Sequence, residues 1–172
     1  FYLLLLTLFC QALFAQNWQP LMRKDTINFK HKDSLFITQT VWVETLHVPN
    51  TGDTIFRLNE TLHYFAAPNQ SLCTNGIATH LPHFLQKQAI KKADSTWLFH
   101  SPNVTYLLKP FAAMNDIWLF DSTNNITANV LAIDTFSVVG QLDSIKVISL
   151  SSGDSILLSK NYGLMRFPTF DS

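Results

Sequence analysis

The sequence predicts an all-β protein in which antiparallel strands follow one another as a meander and form either a sandwich or a curved half-barrel. Short segments rich in β-branched and aromatic residues alternate with turn residues, and no long segment has the 3.6-residue periodicity of a helix. The 172 residues are 47% hydrophobic and include fourteen Phe, enough apolar material for one core. A parallel α/β fold is therefore excluded, and nothing marks a second domain.

The first half of the chain predicts two long strands joined by a tight turn. Residues 35–48 are rich in strand-forming types, and residues 54–65 alternate, with one side formed by Phe56, Leu58, Leu62 and Tyr64. Between them, the segment PNTGD is a predicted hairpin loop in which Gly52 takes a positive φ. The opening segment from Asp25 supplies a further strand. Residues 66–81 are expected to form a long surface loop, because the alternation stops and Pro and Asn cluster there.

The second half predicts short strands over residues 86–91, 97–100, 104–109, 117–121 and 126–133. Residues 82–93 are ambiguous, since their apolar positions also fit one side of a short helix, and a strand near 86–91 is the favoured interpretation. The closing block, residues 143–168, predicts two strands around a Ser-Ser-Gly turn at 151–153 and a third strand entered through Asn161, Tyr162 and Gly163. Nine or ten strands are expected in all.

The N-terminus has the form of a secretory signal peptide. Residues 1–15 are a short apolar stretch that ends in Ala15, so cleavage is expected there and the mature single β domain spans residues 16–172. The basic region and the initiator Met that normally precede such a stretch are missing, which indicates that the sequence starts inside the gene product. A membrane anchor is the less favoured alternative, as is lipidation of Cys10, which follows the bulky Phe9 rather than a small residue.

Charge and cysteine content exclude several classes of partner and stabilising element. Twelve basic residues balance twelve acidic ones without a dense cationic run, so no nucleic-acid partner is expected. After signal cleavage Cys73 is the single cysteine, so no internal disulfide can form even in an oxidising compartment. A lone Cys is most often a small buried apolar residue, although pairing with another chain or a reactive thiol is the alternative.

A repeated dipeptide is the most unusual sequence feature. Nine of the ten Asp residues are followed directly by Ser or Thr, often with an aliphatic residue next. One interpretation is that each Asp closes a turn through its own side-chain hydrogen bonds and the following residues enter a strand. The other is that the motif resembles the O-glycosylation acceptor sequence of exported Bacteroidota proteins, with candidate acceptors Thr26, Ser34, Thr54, Ser95, Ser122, Ser144 and Ser155. The two interpretations are compatible.

The sequence contains no convincing catalytic or metal site. Cys73, His80 and His83 are close in sequence, but their spacing matches no zinc pattern and a fourth ligand is not evident. The only two Glu residues each precede a His by three positions, which places each pair on opposite sides of a strand. Nucleophile elbows, phosphate loops and dinucleotide fingerprints are absent. We therefore expect no enzyme activity, no catalytic residue, no bound metal and no cofactor.

The four tryptophans, at positions 18, 42, 97 and 118, suit core packing, stacking on sugars or the lining of an apolar pocket. Trp42 and Trp118 lie inside strand patterns, so the sequence favours core packing for these two. The remaining two have no assigned role.

Several segments resemble a family of uncharacterised secreted Bacteroidota proteins. The resemblance covers residues 70–168 and rests on the segments PHFL at 82–85, KPFAAMNDIW at 109–118, ITA at 126–128 and the closing block, with LSKNYGL at 158–164 the most specific part. In that family this region is commonly followed by a C-terminal sorting domain for type IX secretion. The resemblance implies export but carries no activity or catalytic residue. The present sequence has no sorting domain, which indicates a fragment or another export route.

These observations predict a secreted or surface-displayed β domain, in the periplasm or outside the cell, that acts as a structural or adhesive module of a larger exported protein. The alternative is an envelope carrier of apolar ligands, in which a curved sheet encloses a cavity lined by Phe. A filled core favours the module, and an open apolar cavity favours the carrier. Expected partners are the export machinery and a surface glycan, a protein or an apolar ligand.

Overall fold

A computed structural model describes residues 18–22, 26–29, 39–49, 52–65, 77–82, 85, 87–100 and 104–168, with backbone alone at 39, 61–65 and 77–82. Every regular element in these ranges is a β-strand. The described residues contain no helix long and apolar enough to cross a membrane. The strands are β1 (Thr26–Phe29), β2 (Gln39–His47), β3 (Thr54–Leu58), β4 (Glu60–Phe65), β5 (Ile77–Pro82), β6 (Gln88–Lys91), β7 (Trp97–His100), β8 (Thr105–Leu108), β9 (Ile117–Asp121), β10 (Ile126–Val138), β11 (Gln141–Leu150), β12 (Ser155–Ser159) and β13 (Gly163–Arg166).

Eleven of these strands form one nearly closed, barrel-like antiparallel sheet. They pair in chain order from β1 to β13, interrupted once by the separate hairpin of β4 and β5 between β3 and β6. The predicted all-β antiparallel meander is therefore confirmed. Strands β7 and β9 have the predicted bounds, the closing block forms β11, β12 and β13 as expected, and β10 continues five residues beyond the predicted end at Ile133.

The prediction of one continuous strand over residues 54–65 is wrong, because the chain breaks at Asn59. This buried side chain accepts a hydrogen bond from the Trp42 amide at 2.8 Å and donates one to the Thr40 carbonyl at 2.9 Å. Its amide therefore joins the end of β3 to β2 beside the register shift between Val43 and Thr45. An apolar and polar alternation continues through such a break, so the sequence pattern does not reveal it.

The predicted loop over residues 66–81 is also wrong at its C-terminal end. Residues Ile77–Pro82 form β5, which pairs with β4 from Glu60 opposite Pro82 to Phe65 opposite Ile77. Residues 66–76 lie outside the described part of the chain. The β-branched residues Ile77 and Thr79 alternate with Ala78 and His80, and the strand ends in Pro82, so the local sequence is a weak strand signal and pairing with β4 decides the conformation.

The interior of the barrel is filled by aromatic side chains. Alternate residues of β3, β6, β7 and β8 point inward and are buried together with residues of β9, β10, β11 and β12. Neighbouring ring centroids lie 4.7 to 6.3 Å apart in a contiguous group that we call the aromatic core, formed by Phe56, Trp97, Phe99, Tyr106, Phe120 and Phe167. Rings at these distances are in direct contact.

The segment of residues 18–22 packs against β13. Trp18 and Leu21 are buried, and the amide of Leu164 donates a hydrogen bond to the Pro20 carbonyl at 3.0 Å. Gly163 permits this approach, since it has a φ of 75° and a Cβ at this position would lie 2.7 Å from the Pro20 oxygen. The closeness of the two backbones explains why a glycine stands in this position.

Candidate functional site

The outer face of β2, β3, β6, β7 and β8 carries a continuous row of polar side chains. Phe56, Ala89 and Phe99 point into the core, so the residues that alternate with them point outward. The register places one outward residue of each strand directly opposite the next. We call this set the polar row: Thr45, Arg57, Gln88, His100 and Thr105.

The polar row presents several hydrogen-bonding groups of different kinds. Arg57 is exposed and offers the five N–H donors of its guanidinium, whereas Gln88 offers both an amide donor and an acceptor. At the far end, the His100 Nδ1 lies 3.0 Å from the Thr105 hydroxyl oxygen, a contact that orients the imidazole. An array of donors in fixed positions on a sheet suits carboxylates and sugar hydroxyls.

A groove of about 310 Å³ lies over the β2 end of this row. It is lined by Thr45, His47, Ile55, Arg57 and Gln88. His47 and Ile55 belong to the next row across the sheet, where they stand opposite each other. The groove therefore combines an apolar floor residue with a guanidinium, an imidazole and an amide, a mixture typical of a site that binds a polar ligand with one apolar side.

A second groove of about 630 Å³ lies beside the two edge strands of the sheet. It is lined by Thr26, Ile27 and Asn28 of β1, by the tip of the hairpin between β10 and β11, and by residues 161, 162, 164 and 165. Its lining mixes apolar side chains with Asn161 and the phenol of Tyr162. An apolar ligand has room to bind in this groove, at the edge of the barrel.

The closing block contains a buried polar network centred on Asp143. One carboxylate oxygen accepts hydrogen bonds from the Ser159 hydroxyl and the Asn161 amide, and the other accepts from the Asn161 side chain and the Ser144 amide. The Ser159 oxygen in turn accepts a hydrogen bond from the Tyr162 amide at 2.8 Å. The Asp143 carboxylate and the Ser159 hydroxyl are therefore both hydrogen-bonded to other groups of the protein. The network holds the turn between β12 and β13 in place. This structural role explains the polar residues of the SKNYG segment.

Lys146 is a buried cation that connects two loops. Its ammonium nitrogen donates to the carbonyls of Pro110 and Ala112 at 2.6 and 2.7 Å, and lies 4.8 Å from the centre of the Trp18 ring. Burial lowers the pKa of Lys146 to about 8, an effect that the negative charge of Asp116 partly opposes. An amine bound by two carbonyls and covered by an indole holds the loops together and is closed to a substrate.

The candidate glycan acceptors fall in different environments. Thr26 and Ser122 are exposed, four others are half-buried, and Ser34 lies outside the described residues. Three of the half-buried ones, Thr54, Ser95 and Ser155, stand at a strand start or in a turn, whereas Ser144 lies within β11 opposite Thr135. Modification at these positions stays a prediction.

The turn-closing interpretation of the Asp motif holds at some positions and is wrong at others. Asp94 and Asp121 accept hydrogen bonds from the amides of Thr96 and Thr123, two residues further on, as a turn-forming Asp does. The hydrogen bond from the Thr96 hydroxyl, with the smaller effect of the bond from the Thr96 amide, lowers the pKa of Asp94. Asp134 and Asp143 instead lie inside strands and accept from the amide of the very next residue.

The described side chains contain no group of three or more His, Cys, Asp or Glu that would hold a metal ion. The candidate ligands Cys73 and His83 and the side chain of His80 lie outside the described set. The sequence prediction of core packing is confirmed for Trp118 and wrong for Trp42, which is 42% exposed on β2. Trp18 and Trp97, to which the sequence assigned no role, are fully buried.

Sequence reasoning missed the polar row, because its members are up to sixty residues apart and meet only through strand register. The alternation of Arg57 and Gln88 with buried neighbours was the available signal. Comparison of the chain with family models, with curated proteins and with solved structures finds no match. The site is therefore interpreted from its own geometry.

Proposed function

We propose that the chain is a non-enzymatic β domain, secreted or displayed on the cell surface, that serves as a structural or adhesive module of a larger exported protein. The aromatic core is the observation that supports this proposal. Its rings contact one another inside the barrel, so the part of the interior that they occupy holds Phe, Tyr and Trp side chains, which favours a packed module.

Binding is assigned to the outside of the barrel. The polar row and its groove offer a guanidinium, an imidazole and an amide on a rigid sheet, so the ligand class that they suit is a glycan or an acidic protein segment. Such a ligand needs no enclosed cavity, because flat protein surfaces bind partners through patches of polar and apolar side chains.

A carrier of apolar ligands is the second candidate, and it rests on the groove beside the edge strands. That groove has twice the volume of the one at the polar row, and Ile27, Val138 and Leu164 contribute apolar surface to it. A ligand there would lie at the rim of the barrel, outside the aromatic core.

Export is proposed through cleavage after Ala15 and, from the family resemblance, through type IX secretion. We expect the protein recovered from the culture medium or the cell surface of the source organism to begin at Gln16. Mass spectrometry of the N-terminal peptide measures this directly. A peptide that retains residues 1–15 would contradict the signal-peptide assignment.

The binding proposal is tested with the purified chain on an array of polysaccharides and extracellular proteins. We expect Arg57→Ala to weaken retention by about tenfold or more, since a central Arg commonly contributes over 1 kcal/mol to binding. Arg166→Ala, an exposed Arg on β13, is the matched control and should leave retention unchanged. Equal loss in both variants, or retention of a fatty acid in place of any polar ligand, would contradict the adhesive role.

A further inference from the structure

The hairpin of β10 and β11 extends beyond its neighbour on one side. Strand β9 pairs with β10 only as far as Asn129, and the loop before β9 adds two hydrogen bonds to Val130. A bulge at Leu131 follows, after which β10 continues to Val138 with β11 as its single partner among the described strands. Among the described strands, residues 132–138 therefore present an edge that no other strand pairs with.

The hydrogen-bonding pattern identifies the backbone groups on this edge. The Ser144 carbonyl accepts a bond from Lys160 on the β12 side, so Ser144 and its partner Thr135 are a non-hydrogen-bonded pair. Alternation then directs the N–H and C=O groups of Ile133, Thr135 and Ser137 away from β11. The two-residue turn at 139 and 140, both with positive φ, supports this assignment. Such a turn is closed by a hydrogen-bonded pair, here Val138 and Gln141, and counting back in alternation from Val138 makes Thr135 non-hydrogen-bonded.

The edge and the residues next to it expose several apolar side chains, together with the polar Asp134, Thr135 and Ser137. Leu131, Ile133 and Phe136 are 60, 40 and 49% exposed, and Val139 at the tip is 87% exposed. Residues 131–142 contain neither Lys nor Pro, the residues that most often keep a free edge from pairing, and Asp134 is their single charge.

We propose that this edge, residues 133–137, is the site at which two copies of the chain pair, β10 against β10 in antiparallel orientation. A two-fold axis through Thr135 places each Thr135 opposite its copy and each Ile133 opposite Ser137 of the other copy. The edge is self-complementary in this register, because the outward N–H and C=O groups of Ile133, Thr135 and Ser137 in one copy meet those of Ser137, Thr135 and Ile133 in the other. Asp134 faces Phe136 of the second copy, so the two carboxylates are not opposed.

Asp134 sets the strength of this pairing. Its carboxylate accepts a hydrogen bond of 2.7 Å from the Thr135 amide, the central donor of the edge. The carboxylate must turn away before Thr135 can bond to the second copy. Pairing through one strand edge also buries little surface, so the dimer is weak and forms at high concentration or when the protein is crowded on a surface.

Sedimentation equilibrium of the purified chain tests this proposal. From about 10 µM to about 1 mM, the range of weak interfaces, we expect the mass to rise from that of the 19.6 kDa monomer towards twice that value. Thr135→Pro removes the central donor and should remain monomeric, whereas Thr135→Ala, which keeps the amide, should associate. Asp134→Ala frees the amide and should associate at a concentration several-fold lower than the wild type.

Amide hydrogen exchange locates the contact in the same samples. Protection of residues 133, 135 and 137 should increase with concentration in the wild type, while circular dichroism checks that Thr135→Pro remains folded. A wild type that stays monomeric throughout would overturn the proposal and leave the edge to a strand of another protein. Association that is equal in wild type and Thr135→Pro, or that leaves these three amides unprotected, would also overturn it.

Discussion

The two faces of the sheet formed by β3, β6, β7 and β8 are built from the same strands but differ in burial and chemistry. The inner residues are aromatic or aliphatic and are buried, whereas the outer face carries the polar row beside a half-buried apolar row formed by Ile55, Ile90, Leu98 and Leu107. Because the side chains of a strand alternate, each residue that fills the core is adjacent to one that faces solvent. The difference indicates that the interior supplies stability and that binding is left to the exterior.

Substitution of two tryptophans, one on each face, should give the largest difference in the free energy of unfolding. Trp97→Ala on the inner face should lower the free energy of unfolding by about 3 to 5 kcal/mol, since it removes a fully buried ring in contact with Phe56 and Phe99. Trp42→Ala on the outer face should change it by less than about 1 kcal/mol. Denaturant titration of both variants measures the difference. Similar losses would mean that the two faces are equally packed.

Two Asp residues that each precede a Ser extend the comparison to polar groups. Asp143→Ala should cost about 2 to 3 kcal/mol, because the buried Ser159 hydroxyl and the Asn161 side chain lose a carboxylate acceptor. Asp154→Ala, at an exposed position, is the control and should cost little. Thermal unfolding of the two variants measures this difference, and the midpoint of Asp143→Ala should be the lower one. Equal midpoints would contradict a stabilising role for the Asp143 network.

Two glycines test the packing of residues 18–22 on the barrel. Both have positive φ, but a Cβ at Gly163 meets the Pro20 oxygen whereas one at Gly153 meets open space. Gly153→Ala should cost about 1 kcal/mol from backbone strain, and Gly163→Ala should cost about 1 to 2 kcal/mol more from the clash. Unfolding free energies measured side by side give the comparison. An equal cost would show that the segment does not approach β13 so closely.

The pH dependence of stability tests the buried charge of Lys146. Its folded-state pKa of about 8 lies below the ordinary value of 10.5, so between these pH values the unfolded chain holds a proton that the folded chain has released. The free energy of unfolding should therefore gain a contribution that rises with pH across that window and is flat below it.

Lys146→Met should lose this rise, and Lys160→Met, a change at a half-buried turn position, should keep it. Denaturant titrations at several pH values between 7 and 10.5 provide the measurement. A slope that is the same in wild type and Lys146→Met would place the titration elsewhere.

Strand identity was predictable from the sequence where local composition decides it. The segments at β7, β9 and the closing block combine apolar alternation with turn residues, and these features lie within a few residues of each other. The break at Asn59 and the strand β5 were not predictable, because each depends on a partner strand distant in sequence.

The candidate site was beyond sequence reasoning for the same reason. Arg57, Gln88 and His100 become neighbours through register alone, and the exposure of Trp42 depends on which face of β2 the rest of the sheet covers. Without that register, a Trp in an apolar segment is reasonably assigned to the core.

Binding of a small apolar probe to the interior tests the central claim most directly. We expect benzene, followed by calorimetry, to show no saturable binding to the wild type, because the aromatic core is filled. Phe99→Ala, which empties the space beside Trp97 and Phe167, should gain such binding. Stoichiometric binding to the wild type that Phe99→Trp abolishes would show that the interior is a ligand cavity and would contradict the account.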